Sequence, residues 1–282
     1  MKQSISEALH TAAQLGCEGV QFDASQEIRP ADMSETGLRH LRKLLDDLNL
    51  RVASIALPSH QGYAQPEGLQ ERVDTALSAM RMASQLNTRV LVFNLGSVPT
   101  PPRDLDEPIV SGSQVPGAGA IGSAQALGFG EGLLDSFDQE WSTLVDVLHS
   151  LASHGNRLGV QLAAYAPTTD PKILKRLIGA LPEGALGVDL SPAPLVAHQG
   201  SAIDFINVLG AHVIHVHGND AIRDLKSGQG VEVELGRGTT DYPELMGRLE
   251  EFGYRGWMTL VRQHSKRQLE DLDNAVRYLR EL

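Results

Sequence analysis

The sequence predicts a single-domain parallel α/β barrel of the eight-stranded type, running over 1–282, with its first strand absent. Three observations predict it. Helical apolar patterns alternate with short strand-like runs along almost the whole chain, an order that demands a parallel sheet with helices outside. The length of 282 residues is ordinary for one such barrel. The series starts with a helix, preceded only by Met1 to Gln3, and seven strand–helix units follow it.

Each element has a local reason. Ser4 with Glu7 is a capping box, and Ile5, Ala8, Leu9, Ala12 and Leu15 share the face of the helix it opens, with Gly16 as its stop. Gly19 to Asp23 is the first strand. Ser34 to Leu48 is a helix with Leu38, Leu41, Leu45 and Leu48 at helical spacing, and Arg51 to Leu57 is a strand stopped by Pro58. Leu69 to Leu86 and Arg89 to Leu95 repeat the pair.

Residues 97–135 break the rhythm with a Gly-, Pro- and Ser-rich insertion too long for an ordinary connection, which suits a lid or a partner contact. Gly117 to Gly122 matches the dinucleotide fingerprint literally, but no strand leads into it and no acidic residue closes a βαβ unit behind it, so it is read as loop.

Order returns with a helix from about Asp138 to His154 and a strand over Leu158 to Ala164. Asp170-Pro171 is a helix start, an N-cap followed by proline at the first helical position. Leu186 to Leu190 is a strand, Ser201 to Leu209 a short helix, and Ala211 to Asp220 the next strand and its polar end. A Gly-rich loop follows, then a helix capped by Asp241 with Glu244, a strand over Gly256 to Val261 and a last helix over Leu269 to Leu282.

Composition excludes several classes. A net charge of −11 opposes nucleic-acid backbones and anionic membranes. No apolar run approaches the ~20 residues of a membrane span, and the N-terminus lacks a signal-peptide core, so the expected location is cytoplasmic. One cysteine, Cys17, rules out an intrachain disulfide framework and reads as a small buried residue. There is no Gly-x-Ser-x-Gly elbow and no phosphate-binding Walker loop. Trp141 and Trp257 read as packing, and Arg255 and Arg262 as solvated. Gly236-Arg-Gly238 suits either an anion site at a helix N-terminus or a tight turn into a capped helix.

The chemistry concentrates on His215-Val-His-Gly-Asn-Asp220. Alternation puts His215 and His217 on one face of a strand that ends in polar groups, and that end is where parallel α/β proteins build sites. With this stretch, the segments Ala12 to Gln21, Gly187 to Pro192, Leu235 to Gly238 and Gly253 to Trp257 resemble the xylose isomerase-like TIM barrels, the superfamily of sugar isomerases and epimerases that includes the AP endonuclease family 2 barrels.

The resemblance covers nearly the whole chain and implies a divalent cation (Mn, Mg, Co or Zn) held by Glu, Asp, His and Glu at four strand ends. Residue by residue, those positions fall on Tyr165, Ser191, His217 and Val261, and an accompanying histidine position on Pro194. Only His217 keeps a family ligand, so no cofactor is expected. One layer deeper, Asp189, His215 and Gln161 offer a shifted metal site, against the alternative of buried polar groups that satisfy one another.

Two functions follow from the resemblance. One is a relative without isomerase chemistry that binds a carbohydrate or polyol or serves as a scaffold. The other is an active isomerase, epimerase or related enzyme working with a non-standard ligand set or a metal-free acid–base site around Tyr165, His217 and Asp220. Asn94, Ser191, His215, Asn219 and Arg237 are the expected ligand contacts. The open strand edges call for cover by the 97–135 loop or by a second subunit in a homodimer.

Overall fold

The computed structural model describes residues 3–59, 61–100, 131–223 and 230–282. The order is α1 (Ile5–Gln14), β1 (Gly19–Asp23), α2 (Glu35–Asp47), β2 (Arg51–Leu57), α3 (Leu69–Gln85), β3 (Val90–Asn94), α4 (Glu131–Leu158), β4 (Gln161–Tyr165), α5 (Pro171–Gly179), β5 (Gly187–Leu190), α6 (Pro192–Ala197), α7 (Ala202–Leu209), β6 (Val213–Gly218), β7 (Asp220–Arg223), β8 (Gly230–Val233), α8 (Tyr242–Glu251), β9 (Met258–Leu260) and α9 (Gln268–Glu281).

Seven strands form a parallel sheet in the order β1-β2-β3-β4-β5-β6-β9. This is the barrel expected from the sequence, nearly closed, and no strand among the described residues bridges β9 and β1. At the lower end of that seam the indole of Trp257 lies over Gly19, where a Cβ would come within 3.1 Å of the ring. A side chain on Gly19 would displace the ring that fills the seam.

Local chemistry explains the elements. Ser4 and Glu7 form the capping box of α1, and Ser34, Asp170, Ser201 and Asp241 cap α2, α5, α7 and α8 through side-chain oxygens. Leu38, Leu41 and Leu45 bury one face of α2 against the barrel, each such burial stabilising by roughly 1.5–3 kcal/mol. Gly16 takes a left-handed φ of 74° after α1, and its carbonyl accepts from Arg280 of α9 at 2.7 Å, tying the last helix to the first.

Three features differ from expectation. Helix α4 starts at Glu131, taking the end of the expected 97–135 insertion. Most of that insertion, with Gly117 to Gly122, lies outside the described residues. The Gly-rich stretch after β6 holds an antiparallel hairpin of β7 and β8, pairing Asp220 with Val233 and Ile222 with Val231. The turn after β5 is the short helix α6, since Pro192 is a favourable first helical residue. Among the described residues no helix is long and apolar enough to cross a membrane.

Candidate functional site

Side chains alternate along each strand, so each contributes every second residue to the barrel interior. Two register slips adjust this. Between β1 and β2 the pairing passes from Val20↔Val52 to Gln21↔Ser54, and between β5 and β6 from Val188↔Val213 to Asp189↔His215. Each slip adds one residue to a strand, as a β-bulge does, and re-aims the side chain beyond it. Ser54 and His215 thereby come opposite Gln21 and Asp189.

These groups form a closed network through the middle of the barrel. The two carboxylate oxygens of Asp189 accept from Nδ1 of His215 at 2.7 Å and Nδ1 of His217 at 2.8 Å. Nε2 of His215 meets the hydroxyls of Ser54 and Thr259, both at 3.0 Å, and Nε2 of His217 meets Oε1 of Gln21 at 3.0 Å. The Gln21 amide donates to Ser54 at 2.8 Å. The two imidazoles pack edge to face, 4.8 Å between centroids.

Burial alone would raise the Asp189 carboxyl, but His217 beside it and the bonds from both histidines outweigh that and hold it at about 2. Burial lowers His215, only partly offset by Asp189, so its imidazole is held neutral. The network joins β1, β2, β5, β6 and β9, and so fastens the barrel from within across its unpaired seam.

Above this layer, at the C-terminal ends of the strands, lies an open cavity of about 650 Å³. Gln21 and His217 line it, with Asn94, Tyr165, Ser191 and Val261. Asp23, Glu27 and Glu232 bring carboxylates to the wall, His198 and His264 imidazoles, and no Lys or Arg lines it among the described residues. The Tyr165 hydroxyl is pushed up to about 12 by burial and by the charge of Asp189, so it stays protonated at neutral pH as a donor.

The expected site residues separate into two groups. Tyr165, His217, Asn94, Ser191 and Asn219 all line the cavity. Asn94 is held by its own turn, donating to Ser59 O at 2.7 Å and accepting from Gly96 N at 3.0 Å. Asn219 accepts from Ala193 N at 2.8 Å and donates to Ser191 Oγ at 2.9 Å, which fixes the start of α6.

The other group lies away from the cavity. His215 is fully buried beneath it. Asp220 is also fully buried, and its oxygens accept from the backbone N–H groups of Ala221 at 2.9 Å, Gly236 at 3.2 Å, Gly238 at 2.8 Å and Thr240 at 3.3 Å. A Cβ on Gly238 would fall 2.1 Å from that carboxylate, which is why the turn carries glycine there. Asp220 therefore holds the Leu235 to Gly238 turn, and Arg237 on that turn is exposed and outside the cavity lining.

Gln161 opens at the opposite end of the barrel rather than beside Asp189. Arg262 is not solvated: it lies 3.2 Å from Glu232, and its Nε donates to Asp271 at 2.8 Å. Glu232 in turn accepts from the backbone N–H groups of Gln263 at 2.9 Å and His264 at 2.7 Å, tying the hairpin over the end of β9.

Gln21 and Asp23 are site residues that motif reading missed, although alternation along Gly19 to Asp23 already placed them on one face. Glu232 carried no such signal, because its position depends on the hairpin.

Among similar solved structures, a xylose isomerase domain protein from Planctomyces limnophilus superposes with a TM-score of 0.77 at 20% identity, covering 97% of this chain and 91% of that one. A xylose isomerase-like TIM barrel protein from Mycobacterium smegmatis, in complex with magnesium, gives 0.70 at 14% identity, covering 98% and 87%. D-psicose 3-epimerase with D-tagatose from Clostridium cellulolyticum H10 gives 0.69 at 14% identity, covering 99% and 94%. Comparison with curated protein sequences gives no match. Residues 9–282 match the family described as xylose isomerase-like TIM barrel, and the chain belongs to that family of sugar isomerase- and epimerase-like barrels.

Proposed function

We propose that the protein binds a carbohydrate or polyol in the cavity at the C-terminal mouth and does not carry out metal-assisted isomerisation. The observation behind this reading is the donor set. A hard divalent cation needs several oxygen ligands in defined geometry. At the four family positions stand the protonated phenol of Tyr165, the Ser191 hydroxyl already bonded to Asn219, His217, and Val261 with no donor.

Asp189, His215 and His217 do place ligand atoms within 4.8 Å of one another. Every one of those atoms is already bonded inside the network, so a cation there would have to break the bonds that fasten the barrel. These residues do not fit the family's metal.

The cavity itself suits a polyol. Asn94, Tyr165 and the carboxylates offer donors and acceptors, and among the described residues the wall carries no Lys or Arg to prefer an anionic sugar. D-psicose 3-epimerase, similar in fold, is described with the ketose D-tagatose, which supports a sugar as the ligand class.

A second reading is metal-free proton transfer by Tyr165 and His217, favoured by their place on one cavity wall. Asp220 is not part of it, since its carboxylate is closed by four N–H groups.

Calorimetry with neutral ketoses and with Mn²⁺ or Co²⁺ separates these outcomes. The binding reading expects sugar binding without stoichiometric metal, and no solvent deuterium entering the sugar in an NMR assay. Stoichiometric metal that is lost in His217→Ala would sink it, and deuterium incorporation without metal would replace it by the second reading.

A further inference from the structure

The opposite mouth of the barrel, at the N-terminal ends of the strands, holds a second concavity of about 750 Å³. Its charge is the reverse of the upper cavity. Arg42, Arg51, Arg89 and Arg255 line it against one carboxylate, Asp46, in a chain whose net charge is −11. Arg51 and Arg89 stand at the starts of the adjacent strands β2 and β3, and Gln161 opens β4 next to them, its backbone N–H bonded to Arg89 O at 2.7 Å. The indole of Trp257, over Gly19, lies on the other side of Arg51, which pairs with Gly19 in the sheet.

Arginines near this end have an ordinary explanation. Helices α2 and α3 finish here, and cations complement the partial negative charge of a helix C-terminus. Arg42 is held on its own helix, its Nε donating to Leu38 O at 3.4 Å, and Arg255 lies 4.0 Å from Glu250 in an exposed pair that holds it weakly. Arg51 and Arg89 have no such partner: among the described residues neither side chain meets a helix carbonyl or a carboxylate. Arg51 and Arg89 are two exposed arginines that line one concavity of small-ligand size from neighbouring strands, and guanidiniums free to turn toward one ligand can bind a multiply charged anion through bidentate bonds.

We propose that the N-terminal mouth is a binding site for a multiply charged phosphate or phosphate ester, with Arg51 and Arg89 as its main contacts and Arg42, Arg255 and Gln161 at its rim. The site is independent of the upper cavity, and its ligand differs in class: among the described residues the upper wall carries carboxylates without Lys or Arg, and this one four arginines against one carboxylate.

Calorimetric titration of the full chain with inorganic tripolyphosphate tests the site. The expected result is one-to-one binding that weakens about tenfold in Arg51→Ala or Arg89→Ala and about a hundredfold in the double variant. The variant Arg51→Lys/Arg89→Lys is expected to keep the charge and recover part of the affinity, which guards against loss of fold as the cause. Absence of binding at millimolar tripolyphosphate, or binding unchanged in the double alanine variant, overturns the site. Citrate binding as tightly at matched ionic strength overturns the assignment of phosphate as the recognised group.

Discussion

Two consecutive layers of the same barrel interior treat their polar groups in opposite ways. In the middle layer Gln21, Ser54, Asp189, His215, His217 and Thr259 bond one another, and every imidazole nitrogen and carboxylate oxygen has a partner within 3.0 Å. In the layer above, the Tyr165 hydroxyl keeps its proton and meets no hydrogen-bond partner among the described residues, facing an open cavity with carboxylates around it. The middle layer looks more like a catalytic centre when its residue types are simply named. On the binding reading proposed above its closure gives it a structural role, because a buried donor that is already satisfied gains nothing from a ligand. The layer with unmet polar groups is the one equipped to bind.

The contrast predicts a graded series of effects. Asp189→Ala leaves two buried imidazoles without their shared acceptor, and the expected cost is roughly 3–5 kcal/mol, a fall of about 10 °C in melting temperature. A variant that melts within a degree or two of the wild type would end the view that the network fastens the barrel. Asp220→Ala strips the acceptor from four backbone N–H groups and is expected to cost about 2–3 kcal/mol in urea unfolding, with sugar binding reduced less than stability. Loss of sugar affinity at unchanged stability would instead return Asp220 to the site.

Acid should dissolve the middle layer in two stages. His215 is lowered in the folded state, so the unfolded chain binds more protons, and stability falls as pH drops below the ordinary histidine value of 6.5. Asp189 is also lowered, from 3.8 to about 2, so its contribution of about 2 kcal/mol is present above pH 4 and fades as pH falls toward 2. Urea midpoints measured from pH 7 down to pH 2 check both stages, and Asp189→Asn should flatten the lower one. The smallest effect belongs to the open layer. Tyr165→Phe should leave the melting temperature within about 1 °C and weaken sugar binding three- to tenfold, as loss of a single hydrogen bond does.

How much of this was legible in the sequence differs from place to place. The capping box at Ser4 and Glu7, the leucine face of α2 and the proline after Asp170 are local signals, and the helices they predict are present. The barrel class followed from the order of such units. That Tyr165, Ser191 and Val261 stand at the family's metal positions is what the resemblance carried by the motif of His215 to Asp220 implies. The sequence offers Asp220 as an acid–base group and carries no sign that Gly236 and Gly238, sixteen and eighteen residues later, donate to its carboxylate, since they close on it only in the folded turn. Arg262 reads as solvated for the same reason, its partner Glu232 lying on a hairpin that no alternation announced.

The sequence by itself determined the alternation of strands and helices and which residues alternate on one face of each strand. These depend on periods of two and 3.6 residues and on caps, which act over a few positions along the chain. The tertiary structure alone decided which of those polar groups are closed and which are open. That outcome turns on two one-residue register slips, which bring Ser54 to His215 across 161 residues and Asp189 to His217 across 28, and such pairings across distant strands leave no mark in local periodicity.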